Sequence, residues 1–457
     1  MNVGKIFLDA DTPISAFLRL RKEGLNPIFL LESAEEIEKW GRYSFLGFGK
    51  PLLTIKFSIQ DESENRLEKG KKIINEINEK LKMIYDKYKD FLEQVKKDFN
   101  IRRIPFGLVG YVSYDSYSVF DKVDTFSGKE SLNVPDIYLV FTPNILIFDN
   151  LTKDVIVVSE EVNAKDLERM ISRSISTSIE KVRIKEIEDL TKKGDFENIV
   201  KEAIDRIYRG DVIQVVLSRA KEVRGEVDPF SLYRAMRIGN PSPYMYFLDF
   251  DEIKISGTSP EVLVRVENGL VETRPIAGTR RRGKNQEEDK IIETELLKDE
   301  KELAEHVMLV DLARNDLGRV CIPGGVKIRR FCYIEKYSRV MHIVSDIEGR
   351  TEKEPTEVLK SCFPAGTVVG APKIEAAKII SELETTRRGP YAGAIGYFSA
   401  DGNMDSAILI RTSFFYQDKM IAQAGAGIVY YSVPEKEFYE TEYKMQAIFD
   451  ALEKISE

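Results

Sequence analysis

Between Asp61 and Asn100 the chain carries one unbroken helical pattern. Ile73, Ile74, Ile77, Leu81, Ile84, Tyr88, Leu92 and Val95 recur at three- and four-residue spacing among Lys and Glu. That spacing predicts one amphipathic helix of about 30 residues, apolar on one face and solvated on the other. The flanking segments are short apolar runs punctuated by turn residues, which read as strands. Strands are predicted over 27–31, 43–46, 52–56, 107–114, 138–148, 155–158 and 212–219, with paired strands across 245–273 and a strand-rich stretch over 391–430. Helices are predicted over 164–185, over 196–209 with Gly210 as C-cap, within 286–309, and at the C-terminal end. The result is an α+β chain (α/β by some schemes) with large, mostly antiparallel sheets. The main boundary falls near residue 190, dividing 1–190 from 191–457, and the two parts can interleave.

Composition narrows the chemistry. The 457 residues carry 68 basic and 76 acidic side chains, net −8, which argues against a reader of nucleic-acid phosphates. With two histidines, His306 and His342, a three-His zinc site cannot be built. Cys321, Cys332 and Cys362 show no C-x-x-C spacing and read as reduced thiols of a cytoplasmic protein. The opening MNVGKIFLDADTP has acids where a signal peptide is apolar, and the apolar runs are too short to span a membrane.

Four features point to a site. Glu302/Glu305 and Glu437/Glu440 are each three residues apart in helical segments, so each pair shares a helix face. Converging, they suit a hard cation such as Mg²⁺; apart, they are solvated helix faces. Gly425-Ala426-Gly427 strips a strand of side chains, a mark of close approach by a ligand, and Thr367 lies in a glycine-rich turn whose amides could hold a carboxylate. Arg411 ends an apolar strand, either as a carboxylate ligand or in a buried ion pair. His342 alternates with apolar neighbours, as a core histidine or an acid–base group. Gly278 to Lys284 spells G-x-x-x-x-G-K, but Asn285 replaces the Ser/Thr of a phosphate loop and the preceding residues are polar. A mobile basic loop near an anionic substrate is the better reading.

Read in order, the segments resemble the chorismate-utilising enzymes, and within them the anthranilate-forming branch. The resemblance is carried by Leu30-Leu-Glu-Ser33, the stretch from Trp40 to Phe45, Gly210 to Ser218, Asn240 to Met245, Arg274-Pro-Ile-Ala-Gly-Thr279, Glu305 to Asp316, Val340 to Val344, Pro364 to Lys373 and Gly425 to Gly427. It implies a sandwich of antiparallel sheets with helices outside. It also implies amination of chorismate at ring carbon 2 by ammonia, loss of the 4-hydroxyl, and elimination of pyruvate. Carried over by position, Glu305 and Glu440 hold Mg²⁺, with Glu302 and Glu437 supporting through water. Tyr391 and Arg411 hold the enolpyruvyl carboxylate, and Gly278, Thr279, Gly425, Ala426 and Gly427 complete the cradle. Thr367 lies beside the ring carboxylate, and His342 assists departure of the 4-hydroxyl. Ala277 stands where aminodeoxychorismate-forming relatives carry a nucleophilic lysine, which disfavours that branch. The resemblance leaves room for an isochorismate-forming enzyme or a non-catalytic tryptophan-binding regulator. None of the three cysteines has the setting of a glutaminase nucleophile, so ammonia comes from a separate glutamine amidotransferase subunit in a hetero-oligomer. Leu31, Glu32 and Ser33, with Pro243, Tyr244 and Met245, match the tryptophan-binding elements of the family. They imply feedback inhibition by tryptophan, with 1–190 as a regulatory part that can interleave with the chorismate-binding catalytic part 191–457, and no nucleic acid or membrane involved.

Overall fold

The computed structural model describes residues 1–7, 11–34, 41–59, 65–101, 103–125, 132–337 and 340–456. Trp40, part of one resembling stretch, and the first residues of the long helical pattern lie outside these. Among the described residues, two antiparallel sheets of twelve and ten strands dominate. Apolar side chains from both sheets, such as Phe29, Phe45 and Ile145 from one and Leu108, Val109 and Ile395 from the other, merge in one core. The chain is therefore a sandwich, as the resemblance implied. The long helix runs from Arg66 to Phe99, with its predicted apolar stripe buried and Asn100 closing it in the left-handed conformation. Tyr88 anchors it, meeting Phe106 edge-on at 5.2 Å.

Both sheets mix strands from either side of residue 190. Pro27–Glu32 pairs with Tyr244–Asp249, setting Glu32 opposite Met245. Gly107–Val112 pairs with Ala394–Ser399.

Three local expectations change. The 138–148 segment is two strands, Ile137–Phe141 and Asn144–Asp149, turning at Pro143, which has no N–H for a ladder. The helix predicted over 164–185 stops at Ile171, where serines at 172, 174, 176 and 178 offer the backbone competing hydrogen bonds. Arg183–Asp189 instead pairs with Gln214–Glu226, and its charged side chains suit an exposed sheet margin. The basic segment after Gly278 continues the strand Ile276–Arg281 and is not a mobile loop, because Arg280 and Arg282 are paired. Arg280 reaches Asp299 at 2.8 Å and Glu302 at 2.9 Å, and Arg282 binds Asp289.

Candidate active site

Two helices bring the four glutamates together. Glu302 and Glu305 lie in the first turns of Glu300–Gly318, whose N-cap Asp299 accepts the amides of Lys301 and Glu302. Glu437 and Glu440 lie in the first turns of Pro434–Ile455. Burial pushes the Glu305 carboxyl above its ordinary range; the Gln214 amide, 2.9 Å away, opposes this, and Glu302 and Glu440 add to it by repulsion. Burial likewise raises Glu437, with Glu440 and Glu305 contributing. The four carboxylates thus share one field. Lys444, one turn beyond Glu440, supplies the internal cation: its Nζ lies 2.8 Å from Glu440 and donates at 2.8 Å to the Gly425 carbonyl. As they stand, no three His, Cys, Asp or Glu side chains among the described residues gather tightly enough to hold a metal ion.

The glycines act as the sequence suggested. Gly425 and Gly427 lie on the strand Lys419–Ile428, opposite Ser218 and Val216. A Cβ on Gly425 would stand 3.1 Å from the Tyr391 hydroxyl, and one on Gly427 2.7 Å from the Gln214 amide nitrogen. At Gly278, with φ +61°, a Cβ would stand 3.1 Å from a Glu302 oxygen. The bare strand therefore leaves backbone facing Tyr391, Gln214 and the glutamates. Tyr391 is 3% exposed, and burial pushes its hydroxyl up to about 12, keeping it a neutral donor. Arg411 sits between two strands at φ +53° and donates to the Lys444 carbonyl at 2.7 Å; burial lowers its pKa, and Glu440 opposes this. Ala392 adopts φ +63°, a conformation that costs an alanine about 1 kcal/mol.

His342 lies on Val340–Arg350 and hydrogen-bonds through Nδ1 to the Gly278 carbonyl at 3.0 Å, with the Thr279 hydroxyl 3.2 Å away. A carbonyl only accepts, so Nδ1 carries the proton. Burial lowers the His342 pKa, keeping the ring neutral. His306 is the core histidine, fully buried with Nε2 2.7 Å from the Ser345 hydroxyl. The Thr367 hydroxyl is buried and lacks a well-aligned hydrogen bond, but it faces Glu261. Burial raises the Glu261 carboxyl to about 7, with Thr367 and Lys444 drawing it down. Glu261, Gln214 and Lys444 were not singled out from sequence. Gln214 lay inside a resembling stretch and Lys444 stands four residues after Glu440, a helical spacing that could have flagged it, whereas Glu261 carries no periodic or spacing signal.

A second concavity lies between the sheets. About 690 Å³ of empty space is lined by Leu31, Glu32 and Ser33 on one strand end and Pro243, Tyr244 and Met245 on its neighbour, so all six residues expected together share one cavity. The Glu32 carboxylate is committed, accepting from the Tyr233 hydroxyl at 2.6 Å and from Arg237 at 2.9 and 3.0 Å. Tyr244 donates at 2.8 Å to Asp405, which also binds the buried Arg265.

Burial raises the pKa of all three cysteine thiols, so none has the depressed value of a nucleophile. No helix among the described residues is long and apolar enough to cross a membrane.

Comparison with known proteins gives a consistent picture. The chain is 46% identical to anthranilate synthase component 1 of Aquifex aeolicus (strain VF5), covering 98% of this chain and 94% of that protein. It is 42% identical to anthranilate synthase component 1 of Acetivibrio thermocellus, covering 99% and 95%. The crystal structure of anthranilate synthase component I from Streptococcus pneumoniae TIGR4 superposes with a TM-score of 0.76 at 34% identity, covering 98% of this chain and all of that one. The chorismate binding enzyme model matches residues 48–450, a span that holds the glutamates, Tyr391, Arg411 and the bare glycine strand, and the chain belongs to that family.

Proposed function

We propose that the chain is the large subunit of an anthranilate synthase, converting chorismate and ammonia to anthranilate and pyruvate. The observation that carries this reading is Ala277. It precedes Gly278 on the strand beside His342, and its methyl group cannot form a covalent adduct with the ring. Ammonia therefore attacks ring carbon 2 directly. As the C–N bond forms, the ring double bonds shift and the C4–O bond breaks, so the 4-hydroxyl leaves as water after gaining a proton. Loss of the carbon 2 proton then drives cleavage of the enolpyruvyl C–O bond, releasing pyruvate and leaving an aromatic ring.

The chain's residues divide this work. Tyr391 and Arg411 hold the enolpyruvyl carboxylate, with a neutral hydroxyl and a guanidinium as donors. Thr367 sits by the ring carboxylate, while the backbone of Gly278, Thr279 and Gly425 to Gly427 lies against the ring. Glu261, with a carboxyl near 7, is a second candidate beside His342 for the proton of the departing hydroxyl. His342 keeps its Nδ1 proton on Gly278, so its Nε2 must first take up a proton before it can pass one to the departing hydroxyl. The carboxylate set suits Mg²⁺, since four gathered glutamate side chains are a poor host for a dianion without a cation. Glu305 and Glu440 would hold it, with Glu302 and Glu437 acting through water, and when bound it would supply positive charge at the ring carboxylate.

Ammonia comes from a separate glutamine amidotransferase subunit. This reading fits three thiols that burial leaves protonated. The cavity between the sheets takes tryptophan as feedback inhibitor, with an apolar wall at Met245 and Leu31 and small polar contacts at Ser33. The protein works in the cytoplasm.

The test mixes the purified chain with chorismate, Mg²⁺ and excess ammonium at alkaline pH and follows anthranilate fluorescence. Product that disappears with EDTA supports the reading. Chorismate consumed without anthranilate moves it to the isochorismate or aminodeoxychorismate branch, and no consumption at all favours a tryptophan-binding regulator.

A further inference from the structure

Tyr391 is held in place by residues that come from far away in the chain. After the strand Gly107–Val112, the backbone enters a short turn containing Tyr114 and Asp115. Tyr114 N–H donates to the Gly389 carbonyl at 2.8 Å. The Gly389 N–H in turn donates to Asp115 Oδ2 at 3.2 Å, and Arg387 Nη2 reaches the same oxygen at 3.2 Å. Both backbone groups of Gly389, two residues before Tyr391, are therefore gripped by one dipeptide. Gly389 has φ +53°, so the turn it makes is one that a grip of this kind must define. On the far side, the Ala392 N–H donates to the Leu409 carbonyl at 2.9 Å. Tyr391 thus hangs between two fixed points with its hydroxyl at Gly425.

Asp115 is an expensive residue for a merely structural role. It is 2% exposed, and its Oδ1 has no hydrogen-bond partner among the described residues. Buried, half-satisfied carboxylates persist where they hold something in place. Its turn is itself pinned, since Ser118 and Thr125 both donate to the Asp115 carbonyl, at 2.9 and 3.0 Å.

We infer that Asp115 is a positioning residue for the reaction, a clamp on Gly389 that sets the Tyr391 hydroxyl where it receives the substrate carboxylate. This rests on the proposed role of Tyr391. Asp115→Ala then raises the KM for chorismate about tenfold while kcat stays within about threefold, because the clamp orients a binding group and not a reacting one. Asp115→Asn restores most of the affinity, since its amide oxygen still accepts the Gly389 N–H.

The experiment measures ammonium-dependent kcat and KM for Asp115→Ala, Asp115→Asn, Tyr391→Phe and the Asp115→Ala/Tyr391→Phe double variant, with Gly389→Ala as a second route to the same turn. A Cβ at Gly389 meets nothing within 4 Å, so that variant disturbs φ without a clash and remains informative if Asp115→Ala does not fold. A KM effect of Asp115→Ala that vanishes in the Tyr391→Phe background supports the clamp, as does a raised KM in Gly389→Ala. A lowered melting temperature with unchanged KM, or a KM effect that persists undiminished without the tyrosine hydroxyl, overturns it. Tyr391→Phe with wild-type KM overturns the carboxylate role itself, and the clamp with it.

Discussion

Replacing Glu384 with Gln takes the counter-charge from a guanidinium that has almost no water around it. Arg388 and Glu384 have side chains 1% and 5% exposed, joined at 2.6 Å. Arg388 also donates to the Val368 carbonyl at 2.7 Å and the Val216 carbonyl at 2.6 Å. The same Glu384 oxygen receives the Ser218 amide at 2.6 Å and hydroxyl at 2.9 Å. Three segments meet here: the turn of Thr367, the strand opposite Gly425, and the loop leading to Tyr391. Breaking a buried pair by removing one charge costs about 3–5 kcal/mol, because the other charge stays buried. With about 2.1 cal/mol/K of unfolding entropy per residue, a chain of 457 residues loses roughly 1 °C per kcal/mol. The melting temperature should therefore fall by about 3–5 °C, read by scanning calorimetry. Replacing both residues, as Glu384→Leu with Arg388→Met, removes the stranded charge but takes their partners from the Val368 and Val216 carbonyls and from the Ser218 amide and hydroxyl, so this variant should recover no stability over the single one. A Glu384→Gln protein that melts within 1 °C of the wild type refutes the argument.

Other outcomes follow from single contacts. Glu305→Gln and Glu440→Gln should each lower turnover by at least about 100-fold with loss of the Mg²⁺ dependence, measured by metal titration of anthranilate fluorescence. Gly427→Ala should push the Gln214 amide off Glu305, since its Cβ would sit 2.7 Å from that nitrogen, and should cut kcat/KM by about tenfold with little change in melting temperature. The buried Asp115 carboxyl lies near 7 in the folded chain, above its value of 3.8 when unfolded. A raised carboxyl contributes its stability at low pH and loses it as pH rises through the folded value. From pH 5 to pH 8 the wild type should lose about 3 kcal/mol relative to Asp115→Asn, seen as a gap in melting temperature that moves by about 3 °C.

Local patterns in the sequence carried most of the elements. The stripe from Ile73 to Val95 could be read because one face is apolar and the other charged over many turns. The strand at Arg183–Asp189 could not, because an exposed margin has no apolar alternation to betray it. The E-x-x-E pairs were visible as spacings, but only tertiary packing sets the two helices side by side. Glu261 was invisible for the same reason, because its chemistry comes from burial beside Thr367. Lys444 was legible only as a helical partner of Glu440, and its reach to the Gly425 carbonyl comes from packing. The basic run at 280–282 misled because charge alone says nothing about pairing, and Asp299, Glu302 and Asp289 absorb it.

The cavity between the sheets and the recess of the glutamates are joined by three strands, and this sets how an inhibitor should act. Val262–Glu267 carries Arg265 into the cavity, with Glu261 just before its start in the recess. Ala394–Ser399 carries Ile395 into the cavity, four residues after Tyr391, and Met404–Ile408 carries Ala407 there, four residues before Arg411. Glu261 to Arg265 runs mostly along a strand, about 13 Å, whereas Tyr391 and Arg411 lie in the turns beyond Ala394 and Ile408. A ligand that shifts the strands at one end should therefore move Glu261 and the turns that hold Tyr391 and Arg411 at the other. Two of these three are the proposed carboxylate ligands, so the coupling should appear in substrate affinity before it appears in chemistry. Tryptophan should therefore raise the KM for chorismate and leave kcat nearly unchanged. Because coupling between two binding equilibria is reciprocal, chorismate should weaken tryptophan binding by the same factor, measured by calorimetric titration without ammonium. Ser33→Ala and Met245→Thr should weaken inhibition with uninhibited turnover nearly intact, because both line the cavity and belong to no part of the glutamate recess. Inhibition that lowers kcat at constant KM would mean that the strands do not carry the signal.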